Sequence, residues 1–121
     1  MIIGIGIDII EISRIEEAVE TFGKAFMNRI YTSAEQQQNT EKNYFAGRWA
    51  AKEAISKALR CGIGKNCSWL DMEIINSASG APVAVLSGAA LERLQQMGGK
   101  TVHVSISHEK NNAVAVAIIE N

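Results

Sequence analysis

An α+β domain, with one long helix and several shorter ones packed on a mainly antiparallel sheet, is the fold this chain of 121 residues predicts. Three observations carry the prediction. Helical spacing of apolar residues fills the first half of the chain and two-residue alternation fills the second. The strand candidates are joined by tight turns, ASGAP and EKNN, rather than by long crossovers. The length suits one continuous core, a single domain over 1–121, and no repeat, low-complexity tract or linker divides it.

Taken in order, IIGIGID alternates Ile3, Ile5 and Ile7 against Ile2, Gly4, Gly6 and Asp8, and reads as a buried strand. Ile12, Ile15, Ala18, Val19 and Phe22 then recur at helical spacing, with Ser13, or the acidic Asp8 and Glu11, placed to serve the helix start. A second short helix is expected from Lys24 to Ile30. Thr32 or Ser33 is the N-cap of a third, with Glu35 in its first turn. QQQNTEKN is the loop before the long helix, which runs from about Asn43 to Arg60 and is rich in strong helix formers; Gly62 is its expected C-cap. The strands that follow are LDMEII, PVAVL, TVHVSIS and AVAVAII, with a helix SGAALERLQQM between the second and third of them.

Composition excludes several classes. A formal charge of −1 and a pI near 6.1 give no global attraction to nucleic acid, so any charged partner must meet a local patch. The N-terminal run MIIGIGIDII lacks a basic region and is broken by Gly4, Gly6 and Asp8, which argues against a signal peptide, and no stretch approaches the ~20 apolar residues of a membrane span. Cys61 and Cys67 are too few for a zinc site and wrongly spaced for a CxxC motif; they read as reduced thiols, and the expected compartment is the cytoplasm.

Candidate chemistry gathers on FAGRWAAKEAISKAL, Phe45 to Leu59. Glu53 and Lys57 are four residues apart, the spacing of a surface ion pair that stabilises a helix by roughly 0.3–0.5 kcal/mol. They share a stripe with Ala46 and Ala50 beside Trp49, and this small-residue surface could lie over Gly4 and Gly6, since strand glycines invite close backbone approach. That packing would bring Asp8 toward Glu53. Two carboxylates so placed repel unless a proton or cation lies between them, and Mg²⁺ completed by phosphate oxygens is the simplest cation, with Lys57 balancing phosphate charge. In HVSISH, His103, Ser105 and Ser107 share one face of a strand, and His108 ends it; a solvated face and a turn residue are the ordinary alternatives.

GIGIDIIEISRI, FAGRWAAKEAISKAL and VHVSISHEKNNAVAVAII, in this order and over nearly the whole chain, resemble the three motifs of the small bacterial phosphopantetheinyl transferases of the holo-[acyl-carrier-protein] synthase type. The resemblance implies that Asp8 and Glu53 hold Mg²⁺, that Lys57 approaches the phosphates of coenzyme A, that His108 lies near the bound nucleotide and that Arg14 faces the carrier protein. It also implies a homotrimer with coenzyme A sites across subunit boundaries. The reaction would move 4′-phosphopantetheine from coenzyme A to a serine of acyl carrier protein, a step serving fatty acid biosynthesis. Trp49 stands where many relatives have phenylalanine, and the neutral Gln36, Gln37 and Gln38 follow Glu35 where relatives often carry another acid. Glu35 is nonetheless the candidate general base, with a water on the metal as the alternative. Arg48, Lys52 and Lys65 are candidate phosphate contacts, and Arg14, Lys24 and Arg29 are the basic residues expected to meet an acidic partner. Two other readings stay open here, a non-catalytic trimeric nucleotide binder and an adapter that only binds a carrier protein.

Overall fold

The computed structural model describes all residues from Met1 to Asn121. The chain runs β1 (Ile2–Glu11), α1 (Ile12–Phe22), α2 (Lys24–Ile30), α3 (Ser33–Gln38), α4 (Lys42–Ala58), a 3₁₀ turn (Trp69–Asp71), β2 (Met72–Asn76), β3 (Pro82–Leu86), α5 (Gly88–Gln96), β4 (Thr101–His108) and β5 (Asn112–Glu120). An antiparallel sheet of order β1-β5-β4 lies under α4, and β2 and β3 form a separate hairpin. The α+β class and every expected element are present. Three boundaries differ by two or more residues: β1 continues to Glu11, Leu70 and Asp71 belong to the 3₁₀ turn, and α4 ends at Ala58. Past that end Arg60 adopts φ 60°, ahead of Gly62 at 66°, so an arginine and not the expected glycine first takes the left-handed turn.

Each strand of the main sheet has an inner and an outer face. Gly4, Gly6 and Asp8 face α4 and pair across β5 with Ile119, Ala117 and Ala115. The glycines are there because the helix backbone occupies the space a side chain would need: a methyl on Gly4 would sit 2.5 Å from the Ala58 carbonyl oxygen, and one on Gly6 would collide with that of Ala54. The close approach is therefore made by Ala54 and Ala58, one and two turns beyond the expected Ala46 and Ala50, because the N-terminal part of α4 lies over β4, where Gly47 meets Ile106. Ala46, Ala50, Ala54 and Ala58 are all fully buried.

On the outer face the registers align Ile5–Ile118–His103, Ile7–Val116–Ser105 and Ile9–Val114–Ser107 across the three strands. The expectation that the β1 isoleucines are buried is corrected here: Ile5, Ile7 and Ile9 are 62–67% exposed in the single chain, because α4 covers only the glycine side.

A buried ion pair locks the helices to the hairpin. Lys52 Nζ donates to Glu35 Oε1 at 2.7 Å and to the carbonyls of Ile30 and Trp69, while Glu35 accepts from Thr32 N at Oε1 and from Ile74 N at Oε2. Thr32 and Glu35 also form the expected capping box of α3. Phe26, Trp49 and Trp69 stack beside this network.

Candidate active site

Asp8 reaches the site from the inner face of β1, and Glu53 and Lys57 from one stripe of α4. Their convergence follows from the glycines, which let helix and strand come close enough for short side chains to meet. Lys57 Nζ donates to Asp8 Oδ1 at 3.1 Å and to the Ile7 carbonyl at 2.9 Å. The i,i+4 pair with Glu53 is not formed; the lysine bridges helix to strand instead. Glu53 is half-buried, and its carboxyl is pushed above the usual range, first by loss of water, then by the negative charge of Asp8, with Lys57 opposing. Two carboxylates and one ammonium thus share a small region where the second negative charge is incompletely compensated.

That donor set suits a hard cation. No group of three or more His, Cys, Asp and Glu side chains could hold a metal, so an ion at Asp8 and Glu53 would keep positions for water and substrate oxygens, the habit of Mg²⁺.

A second feature lies where β4 ends. His108, Asn43, Gly47, Arg48, Asn76, Gly80, Pro82 and Ile106 are among the residues lining a cleft of about 230 Å³. Asn43 Nδ2 and His108 Nδ1 are 3.4 Å apart. Arg48 stacks over the Tyr44 ring at 4.1 Å and donates to Asn76 Oδ1 at 2.6 Å and to the Ile74 carbonyl; burial, more than any charge, lowers its proton affinity. The sequence reading missed Asn43, Asn76 and the Gly80–Pro82 turn. The ASGAP turn was legible, but nothing in it points to a cleft 26 residues before His108.

The remaining candidates are dispersed. Glu35 is corrected as a base: it is 0% exposed, and both oxygens are engaged inside the core, Oε1 by Lys52 Nζ and Thr32 N and Oε2 by Ile74 N, so no serine hydroxyl can approach it. Lys52 is corrected as a phosphate ligand for the same reason, since a fully buried ammonium with three protein acceptors has nothing left to offer an anion. Lys65 is exposed in the loop after α4 and pairs with no site residue. Arg14, Lys24 and Arg29 are exposed on α1 and α2. At 100° per residue Arg14, Ala18 and Phe22 follow one stripe of α1 while Glu16 and Glu20 project to the far side, where Glu16 pairs with Lys42 at 3.6 Å.

Known proteins resemble this chain over almost its whole length. Residues 4–118 match the family model of the 4′-phosphopantetheinyl transferase superfamily. The holo-[acyl-carrier-protein] synthase of Clostridium tetani is 47% identical over 124 aligned positions, covering 99% of this chain and 97% of the relative. Among solved structures, the Helicobacter pylori holo-[acyl-carrier-protein] synthase in complex with coenzyme A superposes with a TM-score of 0.87 at 38% identity, covering 96% of this chain and 99% of that one. The Bacillus anthracis synthase in complex with CoA (3′,5′-ADP) superposes with a TM-score of 0.81 at 42% identity, covering 98% and 96%.

Proposed function

The chain belongs to the 4′-phosphopantetheinyl transferase superfamily, and from that premise we propose how its own residues carry the reaction. It transfers the 4′-phosphopantetheine group of coenzyme A to a serine of apo acyl carrier protein and releases adenosine 3′,5′-bisphosphate. The observation that supports the assignment of the site is the meeting of Asp8, Glu53 and Lys57 from facing elements.

In this reading the serine oxygen attacks the β-phosphorus and the bond to the bridging oxygen breaks, leaving the bisphosphate nucleotide. Such a transfer depends on positioning and on neutralising charge as the leaving phosphate forms. Lys57 moves its ammonium from Asp8 to the diphosphate, leaving Asp8 and Glu53 as the two residues that would hold a divalent cation. Mg²⁺, when bound by these two carboxylates, supplies Lewis-acid polarisation of the diphosphate and relieves their repulsion. His108, Asn43 and the Gly80–Pro82 turn receive the nucleotide end in their cleft, with Arg48 behind them. The Arg14–Phe22 stripe, with Lys24 and Arg29, meets an acidic carrier protein; Glu16 and Glu20 face away from it, while Glu17, about 60° from Arg14 around the helix, borders it.

The assembly is a homotrimer with the coenzyme A site at the boundary between copies. The uncovered rows of Ile5, Ile7 and Ile9 with Ile118, Val116 and Val114 support it, because a continuous apolar sheet face left in water is costly. No helix is long and apolar enough to cross a membrane, and the cytoplasm remains the proposed compartment. The test is the mass of apo acyl carrier protein after incubation with the enzyme, coenzyme A and Mg²⁺. It should rise by one phosphopantetheine group with matching release of the nucleotide; an unchanged carrier protein would overturn the reading.

A further inference from the structure

β2 and β3 form a two-stranded sheet, so β2 has a second edge with no strand beside it. Its outward peptide groups, those of Ile74 and Asn76, pair instead with side chains of α3 and α4. Ile74 N donates to Glu35 Oε2 at 2.9 Å, and Arg48 Nε donates to the Ile74 carbonyl at 3.2 Å. Two residues on, a single side chain fills both roles: Asn76 N donates to Gln38 Oε1 at 2.8 Å, and Gln38 Nε2 donates to the Asn76 carbonyl at 3.2 Å. The carboxamide of Gln38 thus stands where the peptide of a neighbouring strand would, and seals the end of an otherwise open edge. A carboxylate of the same shape would accept from Asn76 N but has no donor for the carbonyl, which accounts for a neutral residue at this position.

Gln38 is itself firmly held. It is the last residue of α3, whose first turn is closed by the Thr32–Glu35 capping box and anchored in the core through Lys52. Tyr44 Oη, which donates to the Glu35 carbonyl at 2.8 Å, lies 3.4 Å from Gln38 Oε1. What Gln38 holds is the base of the turn that walls one side of the cleft at His108. That turn is closed on itself, Ser77 N donating to the Ala81 carbonyl at 2.8 Å and Gly80 N to that of Ser77 at 2.9 Å, so it moves as one body about Asn76 and Pro82. The opposite wall, with Asn43, Gly47 and His108, belongs to α4 and β4, and the hairpin shares no ladder with their sheet. Arg48 reaches only the side-chain oxygen of Asn76, at 2.6 Å, a bond that a rotating side chain can keep while the backbone shifts. The backbone of Asn76 is therefore fixed from α3 by Gln38.

We propose that Gln38 is a positioning residue for the nucleotide half of coenzyme A, holding the Asn76–Pro82 turn against α4 so that the cleft already has the width the adenosine bisphosphate needs. The inference rests on the reading of that cleft as the nucleotide site. Gln38 does not line the cleft; it acts through Asn76, which does. Without its two hydrogen bonds the turn samples other positions, and apparent affinity falls in proportion to the population of the competent one. A bound nucleotide restores that position, so the transfer step at Asp8, Glu53 and Lys57 changes little.

The test compares full-length wild type, Gln38→Ala and Gln38→Glu by calorimetric titration with adenosine 3′,5′-bisphosphate and by steady-state transfer. Gln38 is exposed, so neither change disturbs the core. Gln38→Ala should bind the nucleotide at least about fivefold more weakly and raise KM for coenzyme A by a similar factor, with kcat within about twofold and KM for the carrier protein unchanged. Gln38→Glu keeps the volume and one acceptor but loses the donor, and should bind at least about threefold more weakly than wild type. A role in packing alone would leave the Glu variant at the wild-type value. Equal nucleotide affinity in wild type and Gln38→Ala, wild-type affinity in Gln38→Glu, or a loss confined to kcat would each overturn the proposal. Should Gln38→Ala fail to fold, Gln38→Glu decides by the same criterion. A wild type that neither binds the nucleotide nor transfers would instead overturn the reading of the cleft, and the positioning role with it.

Discussion

Replacing Lys57 by methionine separates a structural from a chemical role for this side chain. In the substrate-free protein the ammonium is about half exposed and lies 3.1 Å from an Asp8 carboxylate that is 18% exposed, so the pair is largely screened by water. Exposed pairs of this kind contribute ~0–1 kcal/mol, and the donor lost to the Ile7 carbonyl at the sheet edge can be replaced by solvent. The melting temperature of Lys57→Met should therefore shift by no more than a few degrees. With substrate bound, the same ammonium faces a diphosphate, and a charge-assisted contact of roughly 1.5–3 kcal/mol corresponds to about a 10- to 150-fold loss of kcat/KM for coenzyme A. Steady-state transfer kinetics beside a thermal melt read both quantities. A kinetic defect under about threefold with an unchanged melt would refute the reasoning and leave Lys57 as an ordinary helix-to-strand tie.

Asp8→Asn and Glu53→Gln should each nearly abolish transfer while the protein stays folded, checked by kinetics and circular dichroism. Glu53 gives a pH signature: its carboxyl is raised above 4.5 in the folded protein, so the stability tied to its protonated form is complete below that value and is lost as pH rises through the folded-state pKa. Metal-free wild type should accordingly lose melting temperature relative to Glu53→Gln as pH climbs from 4 toward 7, and a gap that stays constant contradicts the shift. Glu35→Gln breaks a buried pair from one side, a loss of about 3–5 kcal/mol, and should lower the melting temperature by on the order of 10 °C while transfer per folded molecule holds; a stable but inactive variant would restore Glu35 as a base. Ile5→Lys, on the outer sheet face and away from Asp8, should convert the proposed trimer to monomers in sedimentation; a monomeric wild type with full activity would remove the assembly from the account.

Much of this was legible from periodicity. The alternation of β4 and β5, the capping box at Thr32 and Glu35 and the amphipathic α1 each depend on local spacing, which the sequence displays directly. Asp8 and Glu53 could be paired in advance because Gly4 and Gly6 announce a close helix, although the alanines that meet them are Ala54 and Ala58. What could not be read was the choice between partners of equal chemistry. Nothing in a KEAISK motif says that Lys52 turns inward to Glu35 while Lys57 turns outward to Asp8; that is fixed by which face of α4 meets α2, α3 and the 3₁₀ turn. The charge of Arg48 likewise does not announce its setting: its guanidinium stacks on Tyr44, one turn earlier on α4, and is held by Asn76, distant in sequence on β2. The exposed isoleucines of β1 were unreadable for a different reason, since a hydrophobic strand looks the same whether its own chain or another copy covers it.

The claim that Asp8 and Glu53 form a cation-dependent diphosphate site, worked with Lys57, is tested most directly by transfer rate as a function of free Mg²⁺, comparing wild type with Glu53→Gln over the same chelator-buffered range. The account predicts that wild-type transfer vanishes in excess chelator and saturates with Mg²⁺, and that Glu53→Gln stays at least about 100-fold below it or needs far higher Mg²⁺ to reach half its own maximum. Equal curves for the two proteins, or wild-type transfer indifferent to chelator, would contradict it.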